Sequence, residues 1–177
     1  MASCLPRPVV VCLRAQVSSN VRPHNFSVVV LVKLRSYQVK DWPAVCEIYA
    51  LAKPDELAGI ALPVAIPQLE SDSSMRKLFE DSVIVVAELS GKVAGFAGSR
   101  GNFITWLFVH PEYRRAGVAS ALLRNLLASL ERPLRLNVAA GNIPARTLYE
   151  RFGFQVEREF MGSFQGTPCS VARLHLS

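Results

Sequence analysis

The sequence predicts one α/β domain of the mixed (α+β) type, a central sheet with helices on both faces, spanning residues 32–177. Three observations carry this. Strand-like and helix-like segments follow one another in the order β-α-α-β-β-β-α-β-α-β-β, with no internal repeat and no linker between them. The chain has 177 residues, the length of one domain rather than two. Half of its residues are hydrophobic and 19% are charged, which supplies a core and excludes a disordered or collagen-like polypeptide. The longest apolar runs, residues 28–32 and 83–87, fall far short of the ~18–20 residues a bilayer-crossing helix needs, so no membrane span is expected.

The elements follow in order. Residues 28–35 are β-branched and apolar and read as a strand. Asp41 has the chemistry of a helix N-cap, with Pro43 in the first turn and Val45, Ile48, Tyr49 and Ala52 at helical spacing behind it. Residues 54–67 carry Pro54, Gly59, Pro63 and Pro67 and read as loop or broken helix. Residues 71–79 form a short second helix with Met75, Leu78 and Phe79 on one face. A hairpin follows: a strand over 83–89, a tight turn at Ser90-Gly91-Lys92, and a strand over 93–98. Another strand runs over 103–109 and stops at Pro111. A long amphipathic helix covers 117–130, with Val118, Ala121, Leu122, Asn125 and Leu126 near one face. A strand over 134–138 and a short helix over 144–152, closed by Gly153 as a C′ residue, precede final strands over 154–159 and 170–176.

Charge and cysteine usage narrow the function classes. The net charge is +6, but residues 1–31 hold Arg7, Arg14 and Arg22 and no acid, leaving 17 basic and 14 acidic residues beyond them. The folded part is only mildly basic, which argues against nucleic acid as a partner. It leaves room for a local anion site. Cys4, Cys12, Cys46 and Cys169 are scattered, with no CxxC pair and no Cys/His cluster at metal spacing, so no metal is expected. They read as free thiols of a reducing, cytoplasmic compartment, two of them in the core. Residues 1–31 are Pro-, Arg-, Val- and Ser-rich. They are open to reading as a transit peptide, a signal peptide, or a disordered or artefactual extension from an over-extended start, the last being favoured.

The most informative stretch is residues 103–123, FITWLFVHPEYRRAGVASALL. A strand ends at Val109, the chain reverses over residues 110–113, and Gly117 opens a helix followed by Val118, Ala119 and Ser120. A helix start leaves backbone N–H groups unpaired and carries about half a positive charge. Gly117 and Ala119 leave a phosphate room to approach, and Arg114 and Arg115 add two permanent cations. By itself such a hexapeptide is also compatible with a plain turn and a solvated flank; its place between a strand and a long helix favours a pyrophosphate cradle. Neither GxxxxGK[ST] nor GxGxxG is present, which excludes a P-loop and a dinucleotide fingerprint.

Val109-His110-Pro111 followed by Arg114–Ala119 resembles the signature of the GNAT acetyltransferase superfamily, Arg/Gln-x-x-Gly-x-Gly/Ala after a strand ending in Val-x-Pro. A second hallmark, Asn-x-x-Ala, then Tyr, then Gly-Phe, is matched by Asn142, Ala145, Tyr149, Gly153 and Phe154. The resemblance covers nearly the whole chain beyond the N-terminal arm. It implies the acyl-CoA N-acyltransferase fold, with a central, mostly antiparallel sheet. It implies acetyl transfer from the cosubstrate acetyl-CoA to a primary amine by direct attack, and acetyl-CoA and a small amine as partners.

Further implications concern residues. The backbone of Leu107, Phe108 and Val109 would pair with the pantetheine arm in the gap left as this strand splays from the one over 134–138. Arg114, Arg115, Ala116, Gly117, Val118, Ala119 and Ser120 would hold the pyrophosphate, and Asn142 would order the next turn. Tyr149 is the family's usual proton donor to the departing thiolate. Taken alone, Tyr149 is equally a packing residue on an amphipathic helix. The base is open, with water, His110 or Glu88 as candidates. Asn137 stands where members that acetylate protein N-termini have Glu, which turns the expectation toward a small acceptor. Trp106, Phe108, Phe103 and Phe96 are candidate acceptor-pocket walls or sheet-core aromatics, and residues 54–69 lie where the family shapes its acceptor site. A non-catalytic acyl-CoA-binding regulator, a protein or peptide acetyltransferase, and an enzyme using a longer acyl-CoA are the alternatives. Final strands such as residues 170–176 often pair between subunits in this family, which makes a homodimer an expected assembly.

Overall fold

The computed structural model describes residues 10–12, 31–57 and 66–177. Most of the N-terminal segment, and with it the processing readings, lies outside the described residues. Eight strands form one sheet in the order β1-β2-β3-β4-β5-β6-β8-β7. They are β1 (Val10–Cys12), β2 (Leu31–Ser36), β3 (Val83–Leu89), β4 (Lys92–Arg100), β5 (Phe103–Val109), β6 (Leu134–Ala139), β7 (Gln155–Phe164) and β8 (Thr167–Leu176). Four helices accompany them: α1 (Trp42–Glu56), α2 (Ser73–Glu80), α3 (Val118–Ser129) and α4 (Ile143–Arg151). Every neighbouring pair of strands is antiparallel except β5–β6.

The two sheet faces bury different chemistry. Against α3 and α4 lies an aliphatic core of Val118, Ala121, Leu122, Leu126, Leu134, Leu136, Val138 and Leu174. Against α1 and α2 lies an aromatic one, in which Tyr49, Phe79, Phe96 and Trp106 join Val45, Ile48 and Val86. Edge and tilted contacts between ring centroids 5.2–6.1 Å apart lock it. Cys46 and Cys169 are both buried and free, and burial, followed by Glu70, pushes the Cys46 thiol up to about 12.

Four features differ from expectation. Asp41 stands at the start of α1 but does not cap it. Its carboxylate accepts from both terminal guanidinium nitrogens of Arg35 on β2, at 2.6 and 2.8 Å, and from the Gln38 amide at 2.8 Å. It ties α1 to the sheet instead. Second, α1 runs through Pro54 to Glu56. Pro54 has no N–H to give the Ala50 carbonyl, and the helix ends within a turn of it, at Glu56. Third, the final hairpin is longer than its pattern, reaching Phe164 and Thr167 around Gln165-Gly166, both at positive φ. Pro168 is tolerated because β6 pairs with β8 only as far as Val171, so no ladder partner needs its missing N–H. Asp72, not Ser71, opens α2, and its carboxylate accepts the Ser74 and Met75 amides.

Candidate active site

The parallel joint is where the sheet opens. β5 and β6 pair only at Phe103–Arg135 and Ile104–Leu136, and then part. From there to Val109 one edge of β5 has no strand beside it among the described residues. A cleft of about 600 Å³ occupies the gap. Six consecutive residues, Ile104, Thr105, Trp106, Leu107, Phe108 and Val109, line it. A sheet face would expose alternate residues; an uninterrupted run means that the strand edge, with its free N–H and C=O groups, forms the wall. Gly95 on β4 permits this position. A Cβ there would lie 2.7 Å from the Phe108 carbonyl oxygen and 3.1 Å from Val118 Cγ1.

At the mouth the chain turns from β5 into α3. His110 Nδ1 accepts the Glu112 amide at 3.2 Å, and a single 3₁₀ turn spans Pro111–Tyr113. Arg115 then adopts φ 64° and Gly117 φ 79°. A left-handed arginine is uncommon and marks a turn fixed by its surroundings. Gly117 is the N-cap residue of α3 with no side-chain cap, so the first-turn amides are left without a capping group among the described residues. Val118 points into the aliphatic core and is 1% exposed, while Ala119 lines the cleft. Arg114 also lines it, and its guanidinium reaches Asp55 on α1 at 2.6 Å across the opening.

The opposite wall comes from β6 and α4, through Leu136, Asn137, Val138, Gly141, Asn142, Pro144, Ala145, Leu148 and Tyr149. Asn142 caps α4 by accepting the Ala145 amide at 3.1 Å. Tyr149 is 7% exposed, and burial, with the nearby Glu56 charge adding to it, raises its hydroxyl well above the ordinary tyrosine value. It therefore holds its proton throughout the neutral range.

The structure thus gathers Leu107, Phe108, Val109, Arg114, Ala119, Asn142 and Tyr149 around one cleft. Arg115, Ala116, Gly117, Val118 and Ser120 form the turn and helix start at its mouth, where they offer backbone rather than side-chain walls. Of the candidate aromatic walls, Trp106 and Phe108 line the cleft, whereas Phe96 is buried in the aromatic core and Phe103 lies under the Arg173 guanidinium. The two candidate bases are elsewhere. Glu88 is bound by Arg35 at 2.7 Å and Lys33 at 3.6 Å, because the β2–β3 register sets it opposite Lys33 and diagonal to Arg35. His110 belongs to the turn and has Glu47 3.9 Å away. The carboxylates that do line the cleft are Asp55 and Glu56, with Ala52 from the same helix. Sequence reading saw them only as acids in a variable segment, since Pro54 disguised the helix that presents them.

A mostly antiparallel sheet, opened at its single parallel joint with an uncapped helix start at the mouth, defines an acyl-CoA N-acyltransferase of the GNAT class. The family model described as acetyltransferase (GNAT) family matches residues 40–154. The chain belongs to this family, which uses acetyl-CoA, and is an N-acetyltransferase. It is 33% identical over 131 residues to the uncharacterized N-acetyltransferase YafP of Escherichia coli K12, covering 72% of this chain and 84% of that protein. A GCN5-related N-acetyltransferase structure from Rhodopseudomonas palustris superimposes with a TM-score of 0.69 at 18% identity, over 81% of this chain and 94% of the other. The yncA protein of Salmonella typhimurium, solved with its cofactor acetyl-CoA, does so with a TM-score of 0.62 at 18% identity, over 82% and 92%.

Proposed function

We propose that this enzyme transfers the acetyl group of acetyl-CoA to the primary amine of a small molecule by direct attack. The observation that carries the reading is the open β5 edge beside the uncapped start of α3. The first offers backbone partners to the amides of a pantetheine arm, and the second offers unpaired N–H groups to a pyrophosphate. Arg114 and Arg115 supply the cations, Arg114 by exchanging Asp55 for phosphate oxygen. A β5 amide near Val109 stabilises the carbonyl oxygen as charge develops on it. Once its ammonium has shed a proton to water, the neutral amine forms the N–C bond, the C–S bond breaks with its electron pair going to sulfur, Tyr149 gives the thiolate its proton, and the proton leaving the new amide nitrogen passes through water to restore Tyr149. The burial that raises Tyr149 raises the thiolate's basicity in the same cleft, which keeps the transfer feasible.

A small acceptor is supported by the tip of the β7–β8 hairpin. Gln165 donates to Asp72 at 3.1 Å, and the Phe164 ring lies 5.1 Å from the Lys53 ammonium, so this hairpin tip is packed against α1 and the start of α2. The test is thiol release from acetyl-CoA in the presence of polyamines, amino acids, aminoglycosides and peptides. Turnover concentrated on small primary amines is the expected result. Turnover on peptides alone overturns the acceptor class, and coenzyme A binding without turnover on any amine makes the chain a binding module.

A further inference from the structure

The cleft holds two carboxylates among the described residues, and they are not equivalent. Asp55 is engaged by Arg114 at 2.6 Å, at the phosphate end of the opening. Glu56 lies one residue further along α1 and is about one-third exposed. Its Oε2 is held at 3.0 Å by the Lys53 ammonium, while Oε1 accepts no hydrogen bond from the described residues. Lys53 is unusual in its own right: its side chain is 8% exposed, and its ammonium sits 5.1–5.8 Å from the ring centres of Phe164, Phe108 and Tyr49. Burying a lysine head among rings is costly unless a carboxylate and the ring faces offset the lost hydration. The arrangement therefore fixes where the Glu56 carboxylate lies.

Two buried polar groups near this end of the cleft lack partners among the described residues. The Tyr49 hydroxyl and the Trp106 indole N–H are both buried without a hydrogen-bond partner among the described residues, and Trp106 lines the cleft. Orphaned buried polar groups are rare in finished cores. Trp106 and Phe108 line the same cleft as Glu56, and a carboxylate near aromatic residues suits an alkylammonium, which brings N–H donors for the one and a charge and stem for the other.

We propose that Glu56 is the acceptor-docking carboxylate, receiving the ammonium of an unhindered primary alkylamine through Oε1, and that Lys53 is the positioning residue that aims it. This rests on the cofactor reading of the cleft given above and adds the acceptor end to it. The selectivity follows from chemistry. A primary ammonium brings three N–H donors to a half-used carboxylate, whereas a quaternary ammonium brings charge alone.

The experiment uses the full chain loaded with coenzyme A and titrates it with n-butylammonium chloride and, separately, tetramethylammonium chloride, followed by calorimetry and chemical-shift changes. Saturable n-butylammonium binding is expected, with tetramethylammonium at least fivefold weaker. Glu56→Gln should weaken n-butylammonium tenfold or more and leave coenzyme A affinity within twofold. Lys53→Met, which keeps length and apolar contact, should weaken it three- to fivefold and reduce the preference over tetramethylammonium. Unchanged n-butylammonium affinity in Glu56→Gln, or no saturable binding by the loaded wild-type protein, overturns the proposal. A wild-type chain that does not bind coenzyme A overturns the cofactor reading instead, so the two failures are distinguishable.

Discussion

The two ends of the cleft are built from different parts of the polypeptide. The mouth, from β5 to the start of α3, is made of backbone: an unpaired strand edge, a left-handed arginine and glycine, and a helix start without a cap. The end beside α1 is made of side chains: Glu56 held by Lys53, Lys53 caged by Tyr49, Phe108 and Phe164, and Gln165 pinned to Asp72. Backbone donors recognise the repeating amide and phosphate chemistry of one cosubstrate and need only small residues to stay accessible. Side chains can be exchanged one at a time, so the end proposed to take the acceptor is free to specialise without disturbing the other.

That division is broken most severely at Gly117. Gly117→Glu forces a side chain into φ 79° and sets a carboxylate where the cofactor's phosphates are proposed to lie. Acetyl-CoA affinity should fall at least a hundredfold by calorimetry, on the order of 3 kcal/mol, while the melting temperature drops only a few degrees. Retained affinity would contradict the backbone reading of the mouth.

Tyr149→Phe probes the chemistry between the two ends. It should lower kcat roughly a hundredfold and leave acetyl-CoA affinity within twofold. Because burial raises the Tyr149 hydroxyl above its usual range, the wild-type rate should show no fall from its ionisation between pH 7 and about 9.5. A loss of rate centred near pH 8–9 that disappears in the variant would remove the burial argument.

Gly95→Ala tests whether the strand edge must stay where it is. The added carbon would meet the Phe108 carbonyl at 2.7 Å and Val118 at 3.1 Å, both belonging to the mouth. Overpacking of this kind costs about 1–3 kcal/mol, measurable in urea, and acetyl-CoA affinity should weaken roughly tenfold. An affinity loss without a stability loss would mean that contact, not position, is what the substitution disturbs.

Acid should loosen the α1 side through its anchor. The Arg35 guanidinium, opposed by burial, holds the Asp41 carboxyl below the usual carboxylate range. The bridge therefore contributes fully above the ordinary unfolded value of about 3.9 and is lost as pH falls through the lower folded value. Asp41→Asn should cost roughly 2 kcal/mol at neutral pH and flatten the acid limb of the stability curve, measured by denaturant titration. A parallel acid limb in the variant would assign that limb to other carboxylates.

The smallest expected effect lies on the seam between the two ends. Asp55→Asn releases Arg114 from an exposed ion pair worth under about 1 kcal/mol. Acetyl-CoA should bind about twofold more tightly, with little change in stability; weaker binding would make Asp55 a partner of the cofactor rather than a competitor for Arg114.

Most strands and helices were legible because their periodicity is local. β3 and β5 begin and end where their apolar runs do, and α3 lies within one residue of its pattern at either end. The backbone mouth was legible too, since Gly117, Ala119 and the arginines are consecutive in sequence. What escaped depended on distant partners. Asp41 has the chemistry of a cap and is drawn off by Arg35, six residues away on β2. Glu88 resembles a free strand acid, but pairing with β2, 53 residues from Arg35 in sequence, hands it to that strand's cations. Lys53 gives no local sign of burial, because the rings around it come from α1, β5 and β7.

By itself the sequence determined that there is a strand, a tight turn and an uncapped helix start able to face an anion, because those properties reside in bonds and backbone freedom within a dozen residues. Only the tertiary structure decided that β5 and β6 part after two residue pairs, and that Glu56 rather than Glu88 or His110 stands in the opening. Both depend on how sheet twist and helix packing distribute residues far apart in the chain, and no local pattern encodes the angle at which two strands separate.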